Sequence, residues 1–240
     1  MDSSNGTVLD ILTHRHTGFL KSYFFRYPLK VRKKVETVCI DMFKGYIDVI
    51  RVCFPNAVII TDRFHVAQLL NRSLNSVRVQ TMNQNKGHYK KLKRYWKLLL
   101  KSHEDLDLTN HKKSTGFYHL MTEQQVVDEL LRQFPILEES YWLVQNLRSC
   151  IKYRNIQRFK TLIEKETRHL PKTIQISMET LRYHSNSIIN ALTYSNSNGK
   201  LEGTNNLIKV IKRITFGYRL FSNFRARILL ICNTMLPLQI

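Results

Sequence analysis

The first quarter of this chain is written in short apolar blocks closed by turn residues, and most of the remainder in helical spacing. Thr7-Val-Leu-Asp-Ile-Leu12 follows an Asn-Gly turn and reads as a strand. Gly18 to Tyr27 reads as a short amphipathic helix stopped by Pro28. Val35 to Ile40 is β-branched and apolar, the pattern of a buried strand, and runs directly into Asp41. A helix from Lys44 to Phe54 and a turn at Pro55-Asn56 lead to a second apolar strand, Ala57 to Thr61, which runs into Asp62. Strand, helix, strand in this rhythm predicts a βαβ unit with parallel strands.

From Phe64 onward the pattern is helical. One helix is predicted through Leu74 and Val77, another near Tyr89 to Leu100, and later ones over 123–133, 135–150, 153–168, 173–192, 201–213 and 220–232. Thr122, three residues before Gln125, is a helix-start signature. No internal repeat or low-complexity run occurs. A small α/β core, a long helical insertion and returning helices are expected.

Charge narrows the functional classes. The 240 residues hold 38 Lys and Arg against 18 Asp and Glu, a formal charge of +20. That excess repels itself in the compact state and favours a polyanion, with nucleic acid as the default partner. The ordinary alternative is a solvated basic surface. Apolar residues at 43% exclude a disordered chain. Cys39, Cys53, Cys150 and Cys232 lie too far apart in sequence for a zinc knuckle and suggest no disulfide framework. The amino-terminal residues are polar rather than signal-like, and no apolar run is long enough for a membrane span. A soluble, cytoplasmic protein is expected.

Asp41 and Asp62 each end an apolar run, and open α/β sheets place their chemistry at the carboxyl ends of strands. A lone Asp after a strand is also an ordinary cap or turn residue. A third acid sits in an unusual polar stretch, Ser195-Asn-Ser-Asn-Gly-Lys-Leu-Glu202-Gly-Thr-Asn-Asn206, that opens a helix. Lys209, Lys212 and Arg213 follow at spacing that shares a helix face, and Arg219 and Arg225 extend the positive surface. The ordinary reading here is a basic amphipathic helix with a helix-start acid.

Taken together, these segments resemble bacterial insertion-sequence transposases of the ISL-three type. The resemblance rests on Ile40-Asp-Met42 with Tyr46, Phe54-Pro-Asn-Ala57, Asp62-Arg-Phe-His65 and Leu92-Lys-Arg-Tyr-Trp-Lys-Leu-Leu-Leu100. It rests also on Ser197-Asn-Gly-Lys-Leu-Glu-Gly-Thr-Asn-Asn206 with Ile208-Lys-Val-Ile-Lys-Arg213. It implies an α/β fold with an RNase H-like core, a mixed sheet, and a large all-α insertion. The implied division is a partial core over 1–66, an insertion over 67–195, and catalytic-Glu helices over 196–240 that complete the core. It implies DNA cleavage and strand transfer by two Asp and one Glu holding Mg²⁺ (or Mn²⁺). Asp41 and Glu202 match the second Asp and the Glu, both catalytic and metal-binding. Asp62 and His65 match an accessory signature, although Asp62 also suits the second Asp. Lys209, Lys212, Arg213, Arg219 and Arg225 are the implied DNA-binding residues. The implied partners are double-stranded DNA, as transposon ends and target, and a homo-oligomer or an intact transposase, with no membrane.

The family's first Asp lies in an Asp-Glu-Phe-like segment on its first strand, and no such segment occurs here. Aligned with the family, Thr7 to Leu12 resembles the third strand, so an incomplete and inactive fragment is expected. The alternative from another class is a non-catalytic basic DNA-binding or regulatory module. Three further expectations follow. Asp41 rather than Asp62 should face Glu202. His65 should open a helix. Tyr89, Tyr95 and Trp96 should pack a helix into the core rather than stack on bases.

Overall fold

The computed structural model describes residues 1–2, 4–194 and 199–234, with the side chains of 199, 200 and 202 outside that description. The chain divides into two compact units, one of Met1–Asp62 with Tyr194–Ile240 and one of Arg63–Thr193.

In the first unit, helices α1 (Thr17–Phe24) and α2 (Leu29–Arg32) precede strand β1 (Thr37–Ile40). Helix α3 (Lys44–Cys53) then leads to strand β2 (Val58–Thr61). β1 and β2 pair in parallel, Thr37 opposite Val58 through Ile40 opposite Thr61. The expected βαβ unit is therefore present, with β1 starting two residues and β2 one residue into the apolar runs. α3 turns Ile47, Ile50 and Cys53 inward at helical spacing, and Phe24 of α1 packs edge-on against Phe54 just after α3.

The expected strand at Thr7 to Leu12 forms no ladder. A strand needs a neighbour for its backbone groups, and here a side chain serves instead. Val8 donates its N–H to Asn233 Oδ1 at 2.9 Å and accepts from Asn233 Nδ2 at 3.2 Å. Val8 is buried with Ile211, Ile228 and Cys232, residues of two later helices of the same unit.

The second unit is helical. Its spine is α4 (Arg63–Gln84), followed by α5 (Tyr89–Arg94) and α6 (Trp96–Leu100). A two-residue antiparallel pairing joins β3 (Lys112–Lys113) to β4 (Leu120–Met121). Then come α7 (Glu123–Arg132), α8 (Pro135–Lys152), α9 (Ile156–Ile163), α10 (Lys172–Tyr183) and α11 (Ser185–Thr193). α4 packs against α5, α8 and α10. Its Val66, Leu70, Leu74 and Val77 are buried along one stripe, beside fully buried side chains such as Tyr141 and Phe159.

Local chemistry explains most helix ends. Thr122 caps α7 in a reciprocal capping box with Gln125. α8 begins on Pro135, where a missing N–H is harmless. The helix expected over 153–168 is shorter, because Arg154 adopts φ 55° and Asn155 caps a new start. The one expected over 173–192 breaks at His184.

The chain returns to the first unit for α12 (Gly199–Ile214) and α13 (Phe221–Thr234). It leaves α12 through Phe216 at φ 53° and Gly217 at φ 98°, left-handed conformations that glycine adopts at little cost. No helix of the described residues is long and apolar enough to cross a membrane.

Candidate functional site

The parallel register brings two acids together. Asp62 donates its backbone N–H to the Ile40 carbonyl at 2.8 Å, extending the ladder one step past Ile40 and Thr61. Asp41 and Asp62 thus leave the carboxyl ends of adjacent strands, roughly 5 Å apart by ordinary strand spacing. Asp62 is buried, at 7% exposure. Asp41 is half-buried, and its Oδ1 accepts the Phe43 N–H at 3.0 Å. That turn bond is the ordinary role for an Asp after a strand, and it occupies one of two carboxylate oxygens. Among the described residues the other accepts no hydrogen bond. Gly45 keeps the turn compact, since a Cβ there would lie 2.7 Å from the Phe43 ring.

His65 lies in the first turn of α4, which begins at Arg63 directly after Asp62. Glu202 lies in the first turn of α12, in the same unit as both aspartates. Its side chain, and residues Ser195 to Asn198 of the polar stretch, lie outside the described residues. Among the described residues, no three His, Cys, Asp or Glu gather to hold a metal ion. The donors at the strand ends are carboxylate oxygens, the type that Mg²⁺ and Mn²⁺ prefer.

Asp10 is committed elsewhere. Its carboxylate accepts Arg225 Nε at 2.6 Å, Tyr23 Oη at 2.5 Å and the Ile11 N–H at 2.6 Å. The Arg225 bond holds the Asp10 carboxyl below its ordinary range. Burial, and then the bond to Asp10, push the Tyr23 phenol up. Arg225 thus ties α13 to the amino-terminal segment through its Nε, with its side chain still partly exposed. Lys209, Lys212 and Arg213 do stand exposed on α12, around a shallow depression completed by Phe216 and Gly217, and Arg219 is exposed beyond it.

A second basic surface lies in the helical unit, and the sequence pattern misjudged it. Tyr89 and Trp96 were expected in the core but are 37% and 43% exposed. Leu92 and Leu99, at 0% and 1%, supply the inward contacts instead. The helix breaks at Tyr95, whose ψ of 19° separates α5 from α6.

Three comparisons bear on these features. The family model for ISL-three-type DDE transposases, described as "Transposase", matches residues 1–228. The transposase for insertion sequence element IS1001 of Bordetella parapertussis is 27% identical over 229 residues, covering 91% of this chain and 53% of that protein. A protein of Lactococcus lactis subsp. lactis named ATP-dependent protease is 38% identical over 128 residues, covering 51% of this chain and 41% of that protein. The chain spans about half the length, or less, of these curated relatives. No solved structure matches.

Proposed function

The chain belongs to the DDE transposase family of the ISL-three type, and from that premise we propose that its α/β unit contributes to DNA cleavage and strand transfer in transposition. Asp41 and Glu202 are the metal-binding catalytic acids of this reading, with Mg²⁺ or Mn²⁺ as the ion. Asp62 and His65 are accessory in this reading. Lys209, Lys212, Arg213 and Arg219 bind the phosphates of double-stranded DNA. The unit of 1–62 with 194–240 is read as an RNase H-like core, and the unit of 63–193 as its helical insertion.

The observation that carries the proposal is the strand-end register. Two parallel strands deliver Asp41 and Asp62 side by side, and the same unit contains the helix that begins around Glu202. Among the described residues Asp41 has one carboxylate oxygen that accepts no hydrogen bond, whereas Asp62 is buried, which favours Asp41 as the ligand. When bound, the divalent ions supply charge stabilisation for the oxygens entering and leaving phosphorus. The chain's own part is to fix Asp41 through the Phe43 turn and to hold the phosphate backbone on α12. Fixing matters because a displacement of about 1 Å can lower a rate on the order of a hundredfold.

A second reading, a non-catalytic basic DNA-binding module, is favoured by one observation. Asp41 already serves a turn, and Asp10 is engaged by Arg225 and Tyr23. Mn²⁺ titration followed by electron paramagnetic resonance separates the two, alongside plasmid nicking in Mg²⁺. The catalytic reading expects Mn²⁺ binding that weakens at least about tenfold in Asp41→Asn and in Glu202→Gln, and much less in Asp62→Asn. Loss confined to Asp62→Asn exchanges the roles of the two aspartates. Binding of DNA with no Mn²⁺ site in the wild type establishes the module instead.

A further inference from the structure

The surface of α5, α6 and the β3–β4 hairpin has a chemistry that the strand-end site does not explain. Residues 86–101 contain seven Lys and Arg and no Asp or Glu, and residues 109–121 contain two more Lys and again no acid. With Leu92 and Leu99 turned to the core, Lys90, Lys93, Arg94 and Lys97 are left exposed on the outside.

Exposed aromatic rings stand among these cations. Tyr89 on α5 and Trp96 on α6 are both exposed, and Tyr118 in the β3–β4 turn is fully exposed. Each helix ring has a cation beside it, with Lys93 Nζ 5.7 Å from the Tyr89 ring centre and Lys97 Nζ 5.8 Å from that of Trp96. The hairpin is held against α5. Tyr95 Oη donates to the Thr115 carbonyl at 2.9 Å, Arg94 donates to Thr115 Oγ1 at 3.2 Å, and Lys91 Nζ lies 4.5 Å from the Phe117 ring centre. Between them lies a cleft of about 320 Å³ lined by Arg94, Lys112, Lys113 and Thr115. Glu123 also lines it, with its Oε2 accepting from Lys101 Nζ at 2.6 Å and from the Asp107 N–H at 3.0 Å.

Cations alone fit duplex phosphates, and aromatic rings alone fit a protein partner. Rings interleaved with cations, as on α5 and α6, fit a strand whose bases are unpaired. Phosphates meet the lysines while a base face meets each ring, and stacking needs no particular sequence. We propose that this face of the helical unit is a platform for single-stranded DNA, with Trp96 and Tyr89 stacking on unpaired bases and Lys90, Lys93, Arg94 and Lys97 neutralising phosphates. DNA rather than RNA is chosen on the transposase reading; the platform itself rests on this surface alone.

The test is fluorescence anisotropy of the full chain with labelled oligothymidylate of about 16 nucleotides, the matching duplex, and oligouridylate of equal length. Trp96→Leu keeps an apolar side chain and removes the ring. It should weaken oligothymidylate binding at least about fivefold and leave duplex binding unchanged. Trp96→Phe keeps a ring and should recover most of the loss. Because Trp96 is exposed, unchanged circular dichroism is expected in both. The platform is overturned if Trp96→Leu binds oligothymidylate like the wild type, or loses duplex and single strand equally. Tighter binding of oligouridylate would make it an RNA surface. Asp41→Asn should leave oligothymidylate binding intact, so a failure of the metal site and a failure of the platform remain distinguishable.

Discussion

Arg78 is the residue whose removal most directly tests how the helical unit holds that platform. It is 7% exposed, on α4. Its Nη1 donates to the Leu92 carbonyl of α5 at 2.9 Å, and its Nε and Nη2 donate to Asn75 Oδ1 at 3.0 and 2.8 Å. No carboxylate pairs with it among the described residues, and burial lowers its pKa. Replacing it with Met keeps the apolar stem and removes the charge.

Two effects oppose each other. The Leu92 carbonyl, at a fully buried position, loses its partner, which costs about 1–3 kcal/mol. Asn75 is half-buried, so water replaces its lost bonds at little cost. Against this, the variant no longer buries a guanidinium, and replacing a buried charge by a packed apolar group can itself stabilise. Here the charge is already met by three donor bonds to neutral oxygens, so the orphaned carbonyl should dominate. A net loss of about 2 kcal/mol is expected, or roughly 4–8 °C in Tm for a chain of this size. Arg78→Lys, which can still reach one acceptor, should lose less. Thermal and urea unfolding by circular dichroism measure both variants. An Arg78→Met protein within about 0.5 kcal/mol of wild type would refute the reasoning, because burial of the charge would then cancel its bonds.

Three shorter predictions follow. The Asp10 carboxyl is held low chiefly by Arg225. A depressed carboxylate contributes stability that is present above the unfolded value of about 3.9 and is lost as pH falls through the folded value. Wild-type Tm should therefore drop more steeply than that of Asp10→Asn once the pH passes below about 4, as scanning calorimetry over that range would show. Thr122→Ala removes the α7 capping box and should cost about 1 kcal/mol, with Thr122→Ser near neutral. Duplex DNA binding should weaken steeply with salt, and Lys212→Gln with Arg213→Gln should lower the slope of log affinity against log salt by about 2; an unchanged slope removes these two from the phosphate contacts.

The α/β beginning was legible because two β-branched runs around an amphipathic segment leave few alternatives. β1, α3 and β2 appear within two residues of those runs. Thr7 to Leu12 carried the same signal and formed no strand. Strand propensity describes a chain that can lie in a sheet, and whether a neighbour exists is a tertiary fact. Here the Asn233 amide, 225 residues away, took the place of that neighbour. The acids at the strand ends could be read one at a time. Their adjacency could not, because it depends on the register of β1 against β2.

Sidedness was the least legible feature. Tyr89, Leu92, Trp96 and Leu99 fall at i, i+3, i+7 and i+10, which in one continuous helix is a single apolar stripe. On that reading all four belong in the core. The break at Tyr95 is made by no Pro or Gly, so composition gives no warning of it; Tyr95 instead follows its hydroxyl to Thr115 and its ring to Phe117. Within each short helix the leucine is buried and the ring three positions before it is exposed among lysines. Arg225 shows the same limit for ion pairs. Its partner Asp10 lies 215 residues earlier, a contact that no local pattern announces. In a chain with twenty excess positive charges, most cations have no acid to meet. The ones available to nucleic acid are therefore those left over after the few carboxylates and buried carbonyls have taken theirs, as on α12 and on α5 and α6.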